Sequence, residues 1–394
     1  MTILDLSNNQ LKGQLPDCWK SIDGLLYLDL SNNKLSGKIP VSMGSLLKLE
    51  VLNLRNNNLM GELAFTLKNC MNLIMLDVYE NMLSGPIPSW IGESLQQLII
   101  LNMRENHFSG NIPIKLCYLK HIQFLDLSRN MLSKGIPSCL NNLTALSEKR
   151  INTSEIIYSM YWKINNGFFI YGWSLREDYT LNISFMWKGV EQWFKSPELK
   201  LKSIDLSSNK LTGDIPKEVG YLIGLVSLNL SRNNLSGEIP SEIGNLSSLE
   251  SLDLSKNHIS GGIPFSLSQI DFLGKLDLSH NSLSGRIPSG RHFGTFDVSS
   301  FEGNVGLCGE QLNRTCPEDG NQTTIKPQEH GIVNDDEDNG FYEALYMSMG
   351  IGYFIGFWGL LGPMLLWHSW RNTYLRLLQY CYALISGEGN DIQV

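Results

Sequence analysis

The first residues that suggest chemistry are those of a recurring Asp-Leu-Ser, found at 5–7, 29–31, 126–128, 205–207, 253–255 and 277–279. Ser, Asp and one of the seven histidines could make a hydrolase triad, in which a base activates the hydroxyl and an acid orients the base. That chemistry needs one nucleophile in one place. Six copies of one tripeptide are a repeated strand position, and His258 and His280 occupy variable positions of the same repeats. No Gly-rich phosphate loop and no paired-Cys metal motif occurs. The sequence therefore predicts no catalytic residue, no cofactor and no metal, and a chain that is not an enzyme.

Recognition chemistry is better represented. Arg55, Tyr79, Glu80, Arg104, Glu105 and Arg129 stand where equivalent positions carry Ser31 and Asn32, or Ser207 and Ser208. Mixed charge beside a Tyr suits a polar protein or peptide ligand. The competing reading is a solvated strand face whose charges neutralise one another. A net charge of −8 argues against a nucleic-acid partner, which would need clustered Lys and Arg. Asn-x-Ser/Thr sequons stand at Asn142, Asn152, Asn182, Asn229, Asn234, Asn245, Asn313 and Asn321, as a secreted glycoprotein would have them. A glycan on Asn229 would partly block the face of its repeat.

These residues are positioned by repeats. Leu4-Asp5-Leu6-Ser7-Asn8-Asn9 returns as Leu28-Asp29-Leu30-Ser31-Asn32-Asn33 and as Leu52-Asn53-Leu54-Arg55-Asn56-Asn57, and then around Asn81, Asn106, Asn130, Asn209, Asn233, Asn257 and Asn281. Successive Asn residues are 24 apart, except for one step of 25 and one of 79 between Asn130 and Asn209. Such a period marks a solenoid of leucine-rich repeats. Alternating leucines face the core of a short parallel strand while the residues between them point outward to a concave face. The Asn amide can satisfy buried backbone groups where the chain turns. Gly then permits a tight bend and Pro stops regular pairing, as in Leu35-Ser36-Gly37-Lys38-Ile39-Pro40 and Leu235-Ser236-Gly237-Glu238-Ile239-Pro240.

This Leu-x-Gly-x-Ile-Pro form resembles the plant-specific subclass of leucine-rich repeats, over about residues 1–147 and 199–290. The resemblance implies an α/β-type solenoid with its parallel sheet on the concave face. Residues 148–198 are rich in Tyr, Trp and Phe, which argues for a folded insertion packed on the solenoid. The end of that stretch, Trp187-Lys188-Gly189-Val190-Glu191, resembles the island domain of plant receptor-like proteins. Phe301-Glu302-Gly303-Asn304-Val305-Gly306-Leu307-Cys308-Gly309, with Cys316, resembles the cap that closes such arrays, over 291–317. A Cys308–Cys316 staple would suit that cap. Zinc competes as a reading of two close cysteines but lacks a second ligand pair. Cys117 and Cys139, 22 residues apart in neighbouring repeats, could meet across the stack; Cys18, Cys70 and Cys381 have no evident mate.

An acidic spacer (318–343) precedes Ala344 to Trp370, which holds no Asp, Glu, Lys or Arg. About 23 helical residues cross a ~30 Å hydrocarbon core, so 344–370 is expected to span a bilayer. Arg371 and Arg376 place the tail, 371–394, in the cytosol and the repeats outside, a single-pass type I arrangement in the plasma membrane. Ser348, Gly352 and Gly356 form a small-residue stripe along the span, suited to close helix contact. Tyr374 and Tyr382 open Tyr-x-x-apolar patterns in a tail too short for a kinase.

The chain resembles plant leucine-rich-repeat receptor-like proteins without a kinase domain, of the fungal-xylanase-receptor and leaf-mould-resistance type. That resemblance implies a receptor for an extracellular protein or peptide, signalling in defence through a membrane-bound receptor kinase met by both span and ectodomain. A developmental peptide co-receptor is the alternative within the class. A module similar to polygalacturonase-inhibiting proteins is a rival from another class. The chain opens at Met1-Thr2-Ile3-Leu4 inside a repeat, without secretion signal or Cys-containing cap, and the reading expects an N-terminally truncated sequence, with a non-functional truncated product as the remaining alternative.

Overall fold

The computed structural model describes residues 1–148, 182–187, 190–195, 202–290 and 293–316. Ten three-residue strands form one all-parallel sheet in chain order: β1 (Ile3–Asp5), β2 (Tyr27–Asp29), β3 (Val51–Asn53), β4 (Met75–Asp77), β5 (Ile100–Asn102), β6 (Phe124–Asp126), β7 (Ser203–Asp205), β8 (Ser227–Asn229), β9 (Ser251–Asp253) and β10 (Lys275–Asp277). The central Leu or Ile of each strand points inward; Leu28, Leu52, Leu76, Leu101 and Leu125 are all essentially buried. One register relates each strand to the next, as Leu28↔Leu52 and Leu228↔Leu252 show. A slip of one residue would turn every Leu outward, so the apolar pattern alone specifies the pairing.

The repeated Asn holds consecutive coils together. Asn57 donates from Nδ2 to the carbonyls of Leu30, Leu54 and Arg55 at 3.0, 3.1 and 3.1 Å. Its Oδ1 accepts the Leu35 amide at 3.0 Å. Asn57 thus ties its own turn to the coil before it and serves four backbone groups at the bend. The ladder reaches into the cap, where Asn304 bonds the Leu278 and Phe301 carbonyls and accepts the Leu283 amide, each at 3.0 Å. The residue before each Asn is left-handed, with φ 57° at Glu80, 55° at Glu105 and 52° at Arg129. Bulky residues adopt that conformation only at some cost, so the surrounding bonds impose it.

A second parallel sheet of eight strands, from Lys12–Gln14 to Asn234–Ser236, runs along the Leu-x-Gly segments. The stretches after most of these Pro residues form single 3-10 turns, as at Val41–Ser45 and Lys217–Tyr221; α-helix among the described residues is confined to Trp90–Ser94, after Pro88, and Thr144–Ser147. The α/β-type expectation is therefore corrected in its helical half. Five residues between Pro and the next core Leu leave room for one tight turn only. Gly220 makes this stacking possible, because a Cβ there would overlap the Glu242 carbonyl of the next coil.

The long step between Asn130 and Asn209 does not interrupt the sheet. β6 pairs directly with β7, with Phe124↔Ser203 and Asp126↔Asp205 in register. Within the inserted stretch, Asn182–Trp187 and Val190–Lys195 form an antiparallel hairpin. The cap adds a strand, Gly306–Cys308, to Ser282–Arg286 and buries Phe293 and Phe301 over the last coil. The expected span at 344–370 and the tail lie outside the described residues. No helix among those described is long and apolar enough to cross a membrane.

Candidate functional site

Three columns of side chains cross the ten-stranded sheet on its outward side. The first reads Ile3, Tyr27, Val51, Met75, Ile100 and Phe124, then changes at β7 to Ser203, Ser227, Ser251 and Lys275. The middle column is Asp29, Asn53, Asp77, Asn102, Asp126, Asp205, Asn229, Asp253 and Asp277. The third carries Arg55, Tyr79 and Arg104, with Ser at 31, 128, 207, 231, 255 and 279.

In the middle column each Asp or Asn accepts the amide two residues on, which fixes the turn: Asp29 from Ser31 at 2.8 Å, Asp205 from Ser207 at 2.8 Å. The other side-chain atom faces the neighbouring coil. Asn53 donates to Asp29 at 2.8 Å, and Asn229 donates to Asp205 at 3.1 Å. Where an amide faces a carboxylate, the contact has a donor and an acceptor. Carboxylate faces carboxylate at Asp5–Asp29, at Asp253–Asp277 and at the β6–β7 junction, where Asp126 meets Asp205; of these only the last pair has both members buried. The Oδ2 of Asp126 has no hydrogen-bond partner among the described residues. Burial, together with the neighbouring Asp205 charge and against the Ser128 hydroxyl and amide and Arg104, pushes the Asp126 carboxyl up to about 7. Asp205 is raised as well, chiefly by burial. Burial likewise raises Asp77 to about 6, opposed by the Tyr79 amide and by Arg55.

The expected recognition residues separate into two groups. Arg55 and Arg104 are not held out to solvent: they are 6% and 4% exposed, flattened onto the sheet by their neighbours. Arg104 lies over the Tyr79 ring, 5.2 Å from its centroid, and its Nε and Nη1 have no hydrogen-bond partner among the described residues. Glu80, Glu105 and Arg129 instead sit at the left-handed turn on the rim, and Arg129 pairs with Glu105 at 3.4 Å. Beside Arg104 the fall in side-chain size from Phe124 to Ser203 opens a groove of about 230 Å³, lined by Arg104, Asp205, Asn229, Arg232, Asp253 and Lys275 among others. Sequence reasoning missed Arg232, Lys275 and the Asp126–Asp205 pair. The change from large apolar residues to serines in the first column was the available signal.

These repeats have clear relatives. A leucine-rich-repeat family model matches residues 1–59 and 199–259, and a second matches 121–143 and 272–290. The chain is 50% identical over 404 residues to Receptor-like protein EIX2 of Solanum lycopersicum, across 98% of this chain and 38% of that protein. The chain belongs to the plant leucine-rich-repeat receptor-like proteins. Receptor-like protein EIX1 of Solanum lycopersicum is 51% identical over 251 residues, 61% of this chain and 23% of that relative. The chain thus spans well under half the length of these two receptor-like proteins. Among solved structures, the Arabidopsis receptor kinase HAESA, crystallised with the peptide hormone IDA and the co-receptor SERK1, matches with 31% identity and a TM-score of 0.54, over 78% of this chain and 46% of that one. A TDR receptor matches with 30% identity and a TM-score of 0.53, over 73% and 44%.

In this receptor-like chain Cys117 and Cys139 are joined by a disulfide between neighbouring coils, and Cys308 and Cys316 by another within the cap. Cys18 is free and exposed; Cys70 is free and buried, and burial pushes its thiol up to about 12. Asn142, Asn234, Asn245 and Asn313 are exposed. Asn229 is committed to the middle column through Asp205 and Ser231, so a glycan there would cost those bonds. Asn152, Asn321 and the stripe Ser348, Gly352 and Gly356 lie outside the described residues, as does the side chain of Asn182.

Proposed function

We propose that this chain is the ligand-binding and anchoring part of a cell-surface receptor. On this reading it binds an extracellular protein or peptide on its concave sheet and signals in defence through a partner receptor kinase. The observation that carries it is the Tyr79–Arg104 pair, a stacked guanidinium with unused donors on the outward side of the sheet. Buried Tyr and Arg are the residue types that dominate recognition energetics. Arg55, Glu80, Glu105 and Arg129 would complete the contact, with the rim charges setting orientation. HAESA, which matches this fold, was crystallised with a peptide hormone and a co-receptor. That supports a peptide ligand and a kinase-bearing partner here. Repeats outside, a span at 344–370 and a short tail would leave phosphorylation to that partner, with Ser348, Gly352 and Gly356 at the helix contact.

The test is co-precipitation from leaf membranes of the tagged full chain with a tagged leucine-rich-repeat receptor kinase, with and without purified fungal xylanase, the ligand class the family resemblance implies. Ligand-dependent capture is expected, weakened by joint Tyr79→Ala and Arg104→Ala substitution at unchanged surface level. Capture indifferent to both would overturn the concave-face reading. Gly352→Leu with Gly356→Leu is expected to reduce kinase capture whether or not ligand is present.

A further inference from the structure

We propose that the depression beside the Cys117–Cys139 bridge is the seat of an N-glycan on Asn142 whose first N-acetylglucosamine packs on the Tyr118 ring, and that Asn245 and Tyr221 repeat the arrangement. This rests on the reading above that places the repeats outside the cell. The residues concerned lie in the post-Pro turns, apart from both sheets. Each turn ends on an equivalent position, as at Ser45, Asn69 and Gln269. Among the described residues Tyr fills that position twice, at the ends of Ile114–Tyr118 and Lys217–Tyr221. In both cases the residue one repeat further on ends a turn and opens a sequon, Asn142-Leu143-Thr144 and Asn245-Leu246-Ser247. The third Asn of the column, Asn69, opens no sequon and follows Ser45, not an aromatic residue.

The first pair is built as a seat. Tyr118 and Asn142 line a depression of about 500 Å³ together with Glu93, Gln96, Lys120 and Thr144 among others, within the ~300–1,000 Å³ of ordinary small-molecule pockets. Asn142 is exposed, so its amide is open to substitution. Tyr118 is 45% exposed, and Lys115 holds its ring from one side, with Nζ 4.9 Å from the centroid and 3.6 Å from Glu93. A pyranose has apolar C–H faces, and a half-open Tyr covers one of them while its hydroxyl stays wet. Glu93, Gln96 and Lys120 bring acceptors and donors for the acetamido and hydroxyl groups. Ring and Asn are held in fixed relation. Cys117, beside Tyr118, is bonded to Cys139 in the turn that ends on Asn142, and the Thr144 hydroxyl and Ala145 amide both donate to the Lys120 carbonyl at 3.0 Å. Tyr221, 50% exposed, and the exposed Asn245 stand in the same relation one coil apart. Attachment exchanges one Nδ2 hydrogen of the Asn for C1 of the sugar. The C1–O bond to a polyprenyl diphosphate donor breaks, the diphosphate leaves with the electron pair, the Nδ2–C1 bond forms and a proton is lost.

The test expresses the whole chain in leaf cells behind a cleaved secretion leader, with mannose trimming blocked so that every glycan has the same core. The native protein in detergent is then treated with a peptide N-glycanase, and release is followed site by site by glycopeptide mass spectrometry. Release from Asn142 and Asn245 is expected to be about tenfold slower than from Asn234 and Asn313, which have no Tyr one coil back. Tyr118→Ser should bring Asn142 to the rate of Asn234 while Asn245 stays protected, which also shows that the variant is folded. Tyr221→Ser should free Asn245, and Tyr118→Phe, which keeps the ring, should keep Asn142 protected. Equal release from the four sites, protection that survives the Ser substitutions, or an Asn142 without glycan would overturn the seats. The leader delivers the repeats to the secretory lumen whatever their native side. Failure here is therefore separate from failure of the receptor reading, which ligand-dependent kinase capture tests.

Discussion

Replacing Asp126 by Asn should stabilise this protein above neutral pH and leave it unchanged in acid. At the β6–β7 junction two buried carboxylates oppose each other, whereas an amide meets a carboxylate where Asn53 faces Asp29 and Asn229 faces Asp205. The Asp126 carboxyl rises from 3.8 to about 7 on folding. A group whose pKa is raised in the folded state stabilises the fold below its unfolded pKa and loses that contribution as pH climbs through the folded value. About three units at 1.36 kcal/mol each put the penalty at roughly 4 kcal/mol by pH 8. An Asn at 126 still accepts the Ser128 amide and hydroxyl through Oδ1, and its Nδ2 replaces the unpartnered Oδ2 opposite Asp205. Burying the amide takes back part of the gain, so the net is about 2 kcal/mol at pH 8 and near zero at pH 4. Thermal unfolding of the whole chain in detergent at pH 4, 6 and 8 reads this out. The expected result is a wild-type midpoint that falls across the window and a flatter Asp126→Asn profile, a few degrees higher at pH 8. A variant less stable than wild type at pH 8, or displaced equally at all three values, would refute the argument.

Three further outcomes follow from the stacking of the coils. Gly220→Ala should cost about 1–3 kcal/mol, because its methyl would overlap the Glu242 carbonyl, whereas Gly262→Ala, whose methyl would meet the Ser284 carbonyl at an ordinary 3.8 Å, should be near neutral; urea midpoints compare the two. Asn209→Ala removes donors from the carbonyls of Leu127, Leu206 and Ser207 and the acceptor of the Leu132 amide. It should cost about 3 kcal/mol and speed hydrogen exchange at Leu132 before the terminal coils respond. Replacing both Cys117 and Cys139 by Ser opens a loop of 22 residues and should lower stability by ~3 kcal/mol, seen as a drop in unfolding midpoint that reductant reproduces in wild type.

The repeat carried its own geometry into the sequence. Alternating leucines, the Asn before each Leu-x-Gly and the Pro that follows define strand, turn and return within a single period, because each coil touches only its neighbours and repeats their environment. That is why sheet order, register and the Asn ladder were legible without coordinates. The helical half was not, since an apolar pattern over five residues cannot separate a 3-10 turn from an α-turn.

The site depended on comparisons between coils far apart in sequence. Only the stack sets Asp126 against Asp205 across the insertion and so brings two carboxylates into one buried contact. Only the stack shows that Arg104 is laid flat over Tyr79 while Arg129 reaches the rim, although the two look alike in their repeats. A sequence states which side chains leave the sheet; burial and hydrogen bonding on that sheet are set by the side chains of adjacent coils. The period therefore determined the solenoid, and the contacts between coils decided which of its outward residues are left with bonds to give.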